Sequence, residues 1–132
     1  WKYIGGKNKC VQMNGSNTPN KDWLVTPELD LTGMSEATLT FKYKFSTEVP
    51  AEHQKQYTVL ISSTGDVTNT EDWEELPILS YNATTFTESG AINLPAEMIG
   101  KKCYIAWKYQ CDTVSHTWQL RNIVVKAITK VD

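Results

Sequence analysis

Hydrophobic and polar residues alternate through two long segments, 101–110 (KKCYIAWKYQ) and 117–128 (TWQLRNIVVKAI). This alternation limits what the chain can fold into more than any other feature. In the first segment Cys103, Ile105, Trp107 and Tyr109 fall on one side, and Tyr104, Ala106, Lys108 and Gln110 on the other. Successive side chains of a strand point to opposite faces, so this is the period of a strand with one buried face. In the second segment Trp118 and Leu120 share one parity, while Ile123, Val125 and Ala127 share the other. The apolar phase slips by one residue at Arg121-Asn122. Such a slip is what a β-bulge produces, and bulges re-aim side chains near sites. The expectation is a long antiparallel pair joined by the polar turn CDTVSH, with a bulge in the last strand.

The remaining chain repeats the theme in shorter pieces. Residues 9–13 read as a short strand, and 14–21 (NGSNTPNK) as a loop by composition. Residues 22–27 (DWLVTP) form a strand ended by proline. In 37–45, Leu39, Phe41, Tyr43 and Phe45 alternate with Thr38, Thr40, Lys42 and Lys44, a half-buried strand. Residues 56–62 (QYTVLIS) are apolar enough for a central strand, and Pro77 pushes a strand over 73–79 toward an edge. Short extended pieces are expected at 84–87 and 90–94, and one helical turn at 95–100 (PAEMIG). No stretch carries convincing helical periodicity. About eight short strands with turns at regular spacing indicate an all-β fold, a jelly-roll β-sandwich of two antiparallel sheets. Its expected core is Leu39, Phe41, Tyr43, Val59, Ile61, Ile105, Trp107, Leu120, Ile123 and Val125.

Composition narrows the function. The 132 residues suffice for a single domain with one real core, and 40% hydrophobic with 21% charged residues marks a globular chain. A net charge of −2 with no basic run argues against nucleic acid as a partner. No apolar run approaches the roughly 20 residues of a membrane span. The chain opens at Trp1 with no signal-peptide pattern, which reads as a domain excised from a longer secreted protein. Cys10, Cys103 and Cys111 are odd in number. Cys10 could bridge to either of the others across strands, but buried free thiols are the favoured reading. No C-x-x-C motif or Cys/His cluster points to zinc.

The ordered series of motifs resembles a family. Trp23-Leu24-Val25-Thr26-Pro27 precedes Glu28-Leu29-Asp30-Leu31 and the strand carrying Leu39, Phe41 and Tyr43. Asp72-Trp73-Glu74-Glu75-Leu76 and Ile92-Asn93-Leu94 follow, then Gly100-Lys101-Lys102-Cys103-Tyr104-Ile105-Ala106-Trp107 and Thr117-Trp118-Gln119-Leu120-Arg121-Asn122. This series, across 22–128, is similar to the cleaved-adhesin or choice-of-anchor J family. That family occurs in secreted and surface proteins of gut and oral bacteria, including the adhesin regions attached to gingipain proteases. The resemblance implies a galactose-binding-like or MAM-like jelly roll. It also implies a non-catalytic module at the bacterial cell surface or secreted, fused to other domains and often calcium-bound. One position departs from the family pattern. An aspartate is usual where this chain has Arg121, and a guanidinium cannot ligate calcium. No cofactor is therefore expected. Arg121, with Asn122 beside it, is expected to take over the tie that a metal would supply, by forking onto backbone carbonyls or a carboxylate.

Candidate chemistry is sparse. His53 and His116 read as solvated loop residues, and Asp112 and Cys111 near His116 are not held in register for nucleophilic catalysis. The many acids of 22–30 and 71–75 offer no preferred pair for glycoside hydrolysis. An enzyme is not expected. The loop 64–72 (TGDVTNTED) carries oxygen ligands but lacks the glycine of an EF-hand, and reads as a solvated acidic loop. Indole faces stack on sugar rings. Among five tryptophans, Trp73 between two acids has the best claim to exposure. With Tyr81, Asn82 and Asn69 it forms the expected ligand-binding surface. The expected function is a carbohydrate-binding accessory module, with an adhesin module binding an extracellular protein as the alternative.

Overall fold

The computed structural model describes residues 1–7, 9–15, 17–78, 80–112 and 115–131. Eleven strands fill it: β1 (Lys2–Ile4), β2 (Cys10–Met13), β3 (Asn20–Val25), β4 (Leu29–Asp30), β5 (Met34–Phe45), β6 (Tyr57–Ser62), β7 (Trp73–Leu76), β8 (Thr87–Glu88), β9 (Ile92–Asn93), β10 (Lys102–Cys111) and β11 (Trp118–Thr129). One antiparallel sheet runs β1-β2-β11-β5-β8, with β9 also on β5, and the other runs β3-β10-β6-β7, with β4 on β10. The chain passes repeatedly from one sheet to the other, from β5 to β6 and from β10 to β11 for example, so it is an all-β sandwich. The count exceeds the expected eight because β1, β4, β8 and β9 are two- or three-residue pieces too short to show a period. Three short 3-10 turns complete the described structure, at Ala51–Gln56, Thr70–Asp72 and Ala96–Met98. None of the described helices is long and apolar enough to cross a membrane.

The alternation in β5 and β10 is realised as written, and the apolar run of β6 is an interior strand between β10 and β7, as expected. Leu39, Phe41, Tyr43 and Phe45 face Val59, Ile61, Ile105, Trp107 and Tyr109 across the sandwich, all but fully buried. Edge-to-face and stacked ring contacts join them: Phe41 meets Trp107 at 5.4 Å, and Phe45 stacks on Trp118 at 5.7 Å. Apolar area removed from water, at about 25 cal/mol per Å², is the main force holding the two sheets together. As Pro77 foretold, β7 is an edge strand, and it ends at Leu76; Leu79, placed in that strand by the sequence, lies outside the described residues. The centre of the 111–116 turn, Thr113 and Val114, lies outside them as well. Cys10, Cys103 and Cys111 are buried free thiols.

The bulge is also present. Pairing of β11 with β5 shifts register between Arg121 and Val124, and Asn122 between them takes φ 54°. That left-handed conformation is one that asparagine tolerates better than most residues. Beyond the bulge Val125 and Ala127 lie opposite Leu39 and Ala37; Val125 packs half-buried against the core, short of the full burial expected of it, and Ala127 is exposed. Ile123 is the other correction to the expected core. It sits inside the bulge, outside either parity, and is 37% exposed.

Candidate functional site

The outer face of the β3-β10-β6-β7 sheet carries its own small apolar cluster. Even-numbered residues of β10 and β6 point outward, and register places Lys108 beside Trp23 and Thr58, Ala106 beside Val25 and Leu60, and Glu75 beside Leu60. Leu60, Trp73 and Ala106 are buried there, with Trp23, Val25 and Tyr104 packed around them. The loop 64–72 covers one end of this cluster. Its turn is tied down by Ser62 Oγ, which accepts from the N–H groups of Thr64 and Gly65 at 3.0 and 3.1 Å. Gly65 lies against the Tyr104 ring with φ +70°, and a Cβ there would stand 2.8 Å from Tyr104 Cδ1. No residue with a side chain fits without displacing that ring.

Where the loop leaves the face uncovered, a groove of about 260 Å³ opens. Trp23, Gln56, Thr58, Glu75, Lys108 and Gln110 line it, with Trp73 at its base. The Trp23 and Trp73 rings meet at 5.2 Å with their planes tilted by 50°. Lys108 Nζ stands 4.9 Å from the centre of the Trp23 ring, in cation–π range. Partial burial, then the nearby Lys21 cation, lower the Lys108 pKa from its ordinary value. Among the described residues no carboxylate forms an ion pair with Lys108. The site thus combines one half-buried indole, two primary amides, the Thr58 and Thr70 hydroxyls, a carboxylate and two ammonium groups, Lys55 and the partly desolvated Lys108. That set can stack on an apolar face and hydrogen-bond a polyhydroxylated rim; it offers no nucleophile held by a base.

The four residues the sequence grouped as a ligand surface are not brought together. Trp73 is only 9% exposed, and its indole N–H donates to the Asp66 carbonyl at 2.9 Å. Burial follows from register, since Trp73 shares the outward parity of Leu60 and lies under the loop. Asn69 holds that loop, accepting from Glu71 N–H at 3.3 Å and donating to Asp72 at 3.3 Å. Tyr81 is at the far end of β6: its hydroxyl donates to the Tyr57 carbonyl and its ring stacks on Phe45. Trp73 lies opposite Ser62, five residues further along, so roughly 16 Å of strand separates the two. Asn82 is exposed beside Tyr81, its N–H bonded to Ser80 Oγ. Trp23 replaces this set as the accessible indole. The signal was its facing partner, since a strand residue opposite a lysine belongs to the wet side of the sheet.

The loop 64–72 is largely exposed, as expected, though its acids bond within it. Asp66 and Asp72 are used inside the loop, accepting from Thr68 and Thr64 hydroxyls at 2.6 and 2.8 Å. The Thr68 hydroxyl and N–H hold the Asp66 carboxyl below its usual range. His53 and His116 are not solvated but half-buried, their rings 5.9 Å apart. Among the described residues the fork expected of Arg121 is absent. Its guanidinium instead lies 3.8 Å from the Phe86 ring centre, and its Nε is buried without a hydrogen-bond partner. The bulge turns the chain at Asn122, and Arg121 keeps the outward parity it shares with Lys42. No cluster of three or more His, Cys, Asp or Glu placed to hold a metal occurs among the described residues.

The sequence profile of the Cleaved Adhesin Domain family matches residues 6–130. Among solved structures, the chain is similar to the K1 cleaved adhesin domain of Lys-gingipain (Kgp) from Porphyromonas gingivalis W83. The TM-score is 0.57 at 23% sequence identity, over 90% of this chain and 74% of that one. At that identity the likeness speaks for the fold alone. No curated protein matches. A profile match over nearly the whole chain, on a sandwich whose strands follow the motif order, places this chain in the cleaved adhesin domain family.

Proposed function

We propose that the chain is a non-catalytic, secreted or cell-surface adhesin module that binds carbohydrate in the groove on its β3-β10-β6-β7 face. The observation that carries this reading is the half-buried Trp23 indole flanked by Gln56, Gln110, Thr58 and Lys108. A sugar presents a patch of C–H groups on one ring face and hydroxyls around its edge. The indole takes the first and the amides the second. Stacking contributes only about 0.5–1.5 kcal/mol beyond area burial, so useful avidity rests on several copies or a tethered partner. The test is a glycan array followed by calorimetry on hits, with Trp23→Ala and Gln110→Ala beside the native chain. Binding lost in Trp23→Ala, with the fold retained, supports the reading. Absence of any glycan hit, or hits indifferent to Trp23, sinks it.

A second reading has its own observation. β2 pairs only with Trp118, Gln119 and Leu120 of β11, so past the bulge β11 pairs with β5 alone among the described strands. Val124 and Ile128 are 41% and 57% exposed on that segment. A free edge with apolar side chains suits addition of an extended segment from a protein partner. Ile128→Lys would abolish such binding and leave the glycan groove intact.

A further inference from the structure

The 3-10 turn Ala51–Gln56 and the stretch leading into β11 leave three buried polar atoms unsatisfied on facing side chains. These are His53 Nδ1, His116 Nε2 and Gln56 Oε1. His53 and Gln56 are three residues apart in that turn, and side chains at this spacing eclipse one another on one face of a 3-10 helix. His116 stands across from His53, the two ring centres 5.9 Å apart. Each unpaired buried group costs on the order of 1–3 kcal/mol, so their concentration in one place calls for a shared partner.

The His116 ring is set up to ligate. Its Nδ1 is 2.7 Å from the Thr47 hydroxyl oxygen, and its backbone N–H donates to the Tyr57 hydroxyl at 2.6 Å. With Nδ1–H donating to Thr47, the lone pair falls on the unpartnered Nε2. A hydrogen bond from the far ring nitrogen is how proteins fix the tautomer and direction of a ligating histidine. The two open nitrogens do not bond each other. Two imidazoles on one ion, at about 2.0–2.1 Å each, place their ring centres roughly 5–6 Å apart, which matches the spacing here. On the His53 and Gln56 side lies a cavity of about 460 Å³ that Glu52 and Asp112 also line, their carboxylates facing the single cation Lys55.

We propose that His53 Nδ1 and His116 Nε2 together bind a divalent transition-metal ion of the zinc–copper class, with Gln56 Oε1 and water completing its shell. Imidazole donors select such ions over calcium, which takes oxygen ligands. With two imidazoles and an amide, the site keeps an open coordination position and binds less tightly than a closed four-ligand site. Gln56 also lines the Trp23 groove, so an occupied site would fix one wall of it.

The test adds one equivalent of Zn2+ or Cu2+ to chelator-treated native chain, His53→Ala, His116→Ala and Thr47→Val. The melting temperature and the Cu2+ electron paramagnetic resonance spectrum are then recorded. The expected result is a raised melting temperature and a two-nitrogen copper signature in the native chain. Both should be lost in either histidine variant, and affinity should fall about 10–100-fold in Thr47→Val. His53→Ala lies on a surface turn and guards against a folding defect in His116→Ala. No rise in melting temperature with either ion, as expected if water alone bridges the nitrogens, overturns the proposal. So does a rise that survives both histidine substitutions.

Discussion

Two groups of aromatic rings in this molecule look alike pairwise and behave differently. Inside the sandwich, Trp118 meets Trp1 at 5.4 Å and 52°. On the outer face, Trp23 meets Trp73 at 5.2 Å and 50°. The difference lies on the remaining faces of each ring. Trp118 is also covered by Phe45 at 5.7 Å and Tyr57 at 5.5 Å, and none of it is exposed. Trp23 has Lys108 above it and the groove beside it. Ring-to-ring geometry therefore does not tell a core residue from a binding residue. The third neighbour does: an aromatic ring in one case, and a cation with solvent in the other.

The largest expected effect tests that statement directly. Trp118→Ala should cost about 3–5 kcal/mol, the range for emptying a packed aromatic site. Trp23→Ala should cost about 1 kcal/mol, since its tilted contact with Trp73 and part of its area are all it loses. Urea unfolding of both variants measures the gap, and the comparison breaks if the two costs are equal.

The strands that make this comparison possible were legible because β5 and β10 alternate and β6 is a short apolar run, and a wrong register would expose Phe41, Tyr43 and Trp107 together. The bulge was legible for the same reason, as a break in parity at Arg121-Asn122. The ligand surface was not. Flanking charges made Trp73 look exposed, yet Glu74 and Glu75 speak for their own positions, while the cover over Trp73 comes from loop residues 64–72 folding back on the sheet. Nor could the sequence show that the 3-10 turn carries His53 to within ring contact of His116, 63 positions away (116 − 53). Such contacts depend on where loops land, and loop conformation leaves no period to read.

A second expected effect, of intermediate size, concerns the tyrosines of the inner group. Burial, opposed in part by the His116 N–H, raises Tyr57 to about 12, and burial with the Cys111 thiol raises Tyr109 to about 12. A tyrosine with a higher pKa folded than unfolded holds its proton more tightly when folded. Its contribution is therefore intact below about pH 10 and disappears as the pH rises through about 12. At roughly 1.4 kcal/mol per unit, ionising Tyr57 costs on the order of 2–3 kcal/mol. Unfolding free energy should fall steeply from pH 10 to 12, and Tyr57→Phe should flatten that slope. If Tyr57→Phe follows the native curve throughout, the inner group is wetter than its packing implies.

The smallest expected effect carries the comparison to the other outer face. Arg121 over Phe86 is the counterpart of Lys108 over Trp23, a cation laid on a ring on the solvent side of a sheet. Here, however, the groove of about 300 Å³ beside Arg121 has Asn122 as its one amide and is not lined by Phe86, so a role in stability is the one to expect. A cation–π contact at a partly exposed position contributes about 0.5–1 kcal/mol, and Arg121→Ala should cost that plus the packing of its stem. Against this stands the buried Nε without a partner. Arg121→Met keeps an unbranched chain over the ring, replaces the cation with a polarizable sulfur, and removes the unsatisfied N–H. Arg121→Met should therefore unfold within about 0.5 kcal/mol of the native chain, and Arg121→Ala about 1 kcal/mol below it. A methionine variant as weak as the alanine one would show that the guanidinium charge, rather than the covering of Phe86, is what the bulge is built to place there.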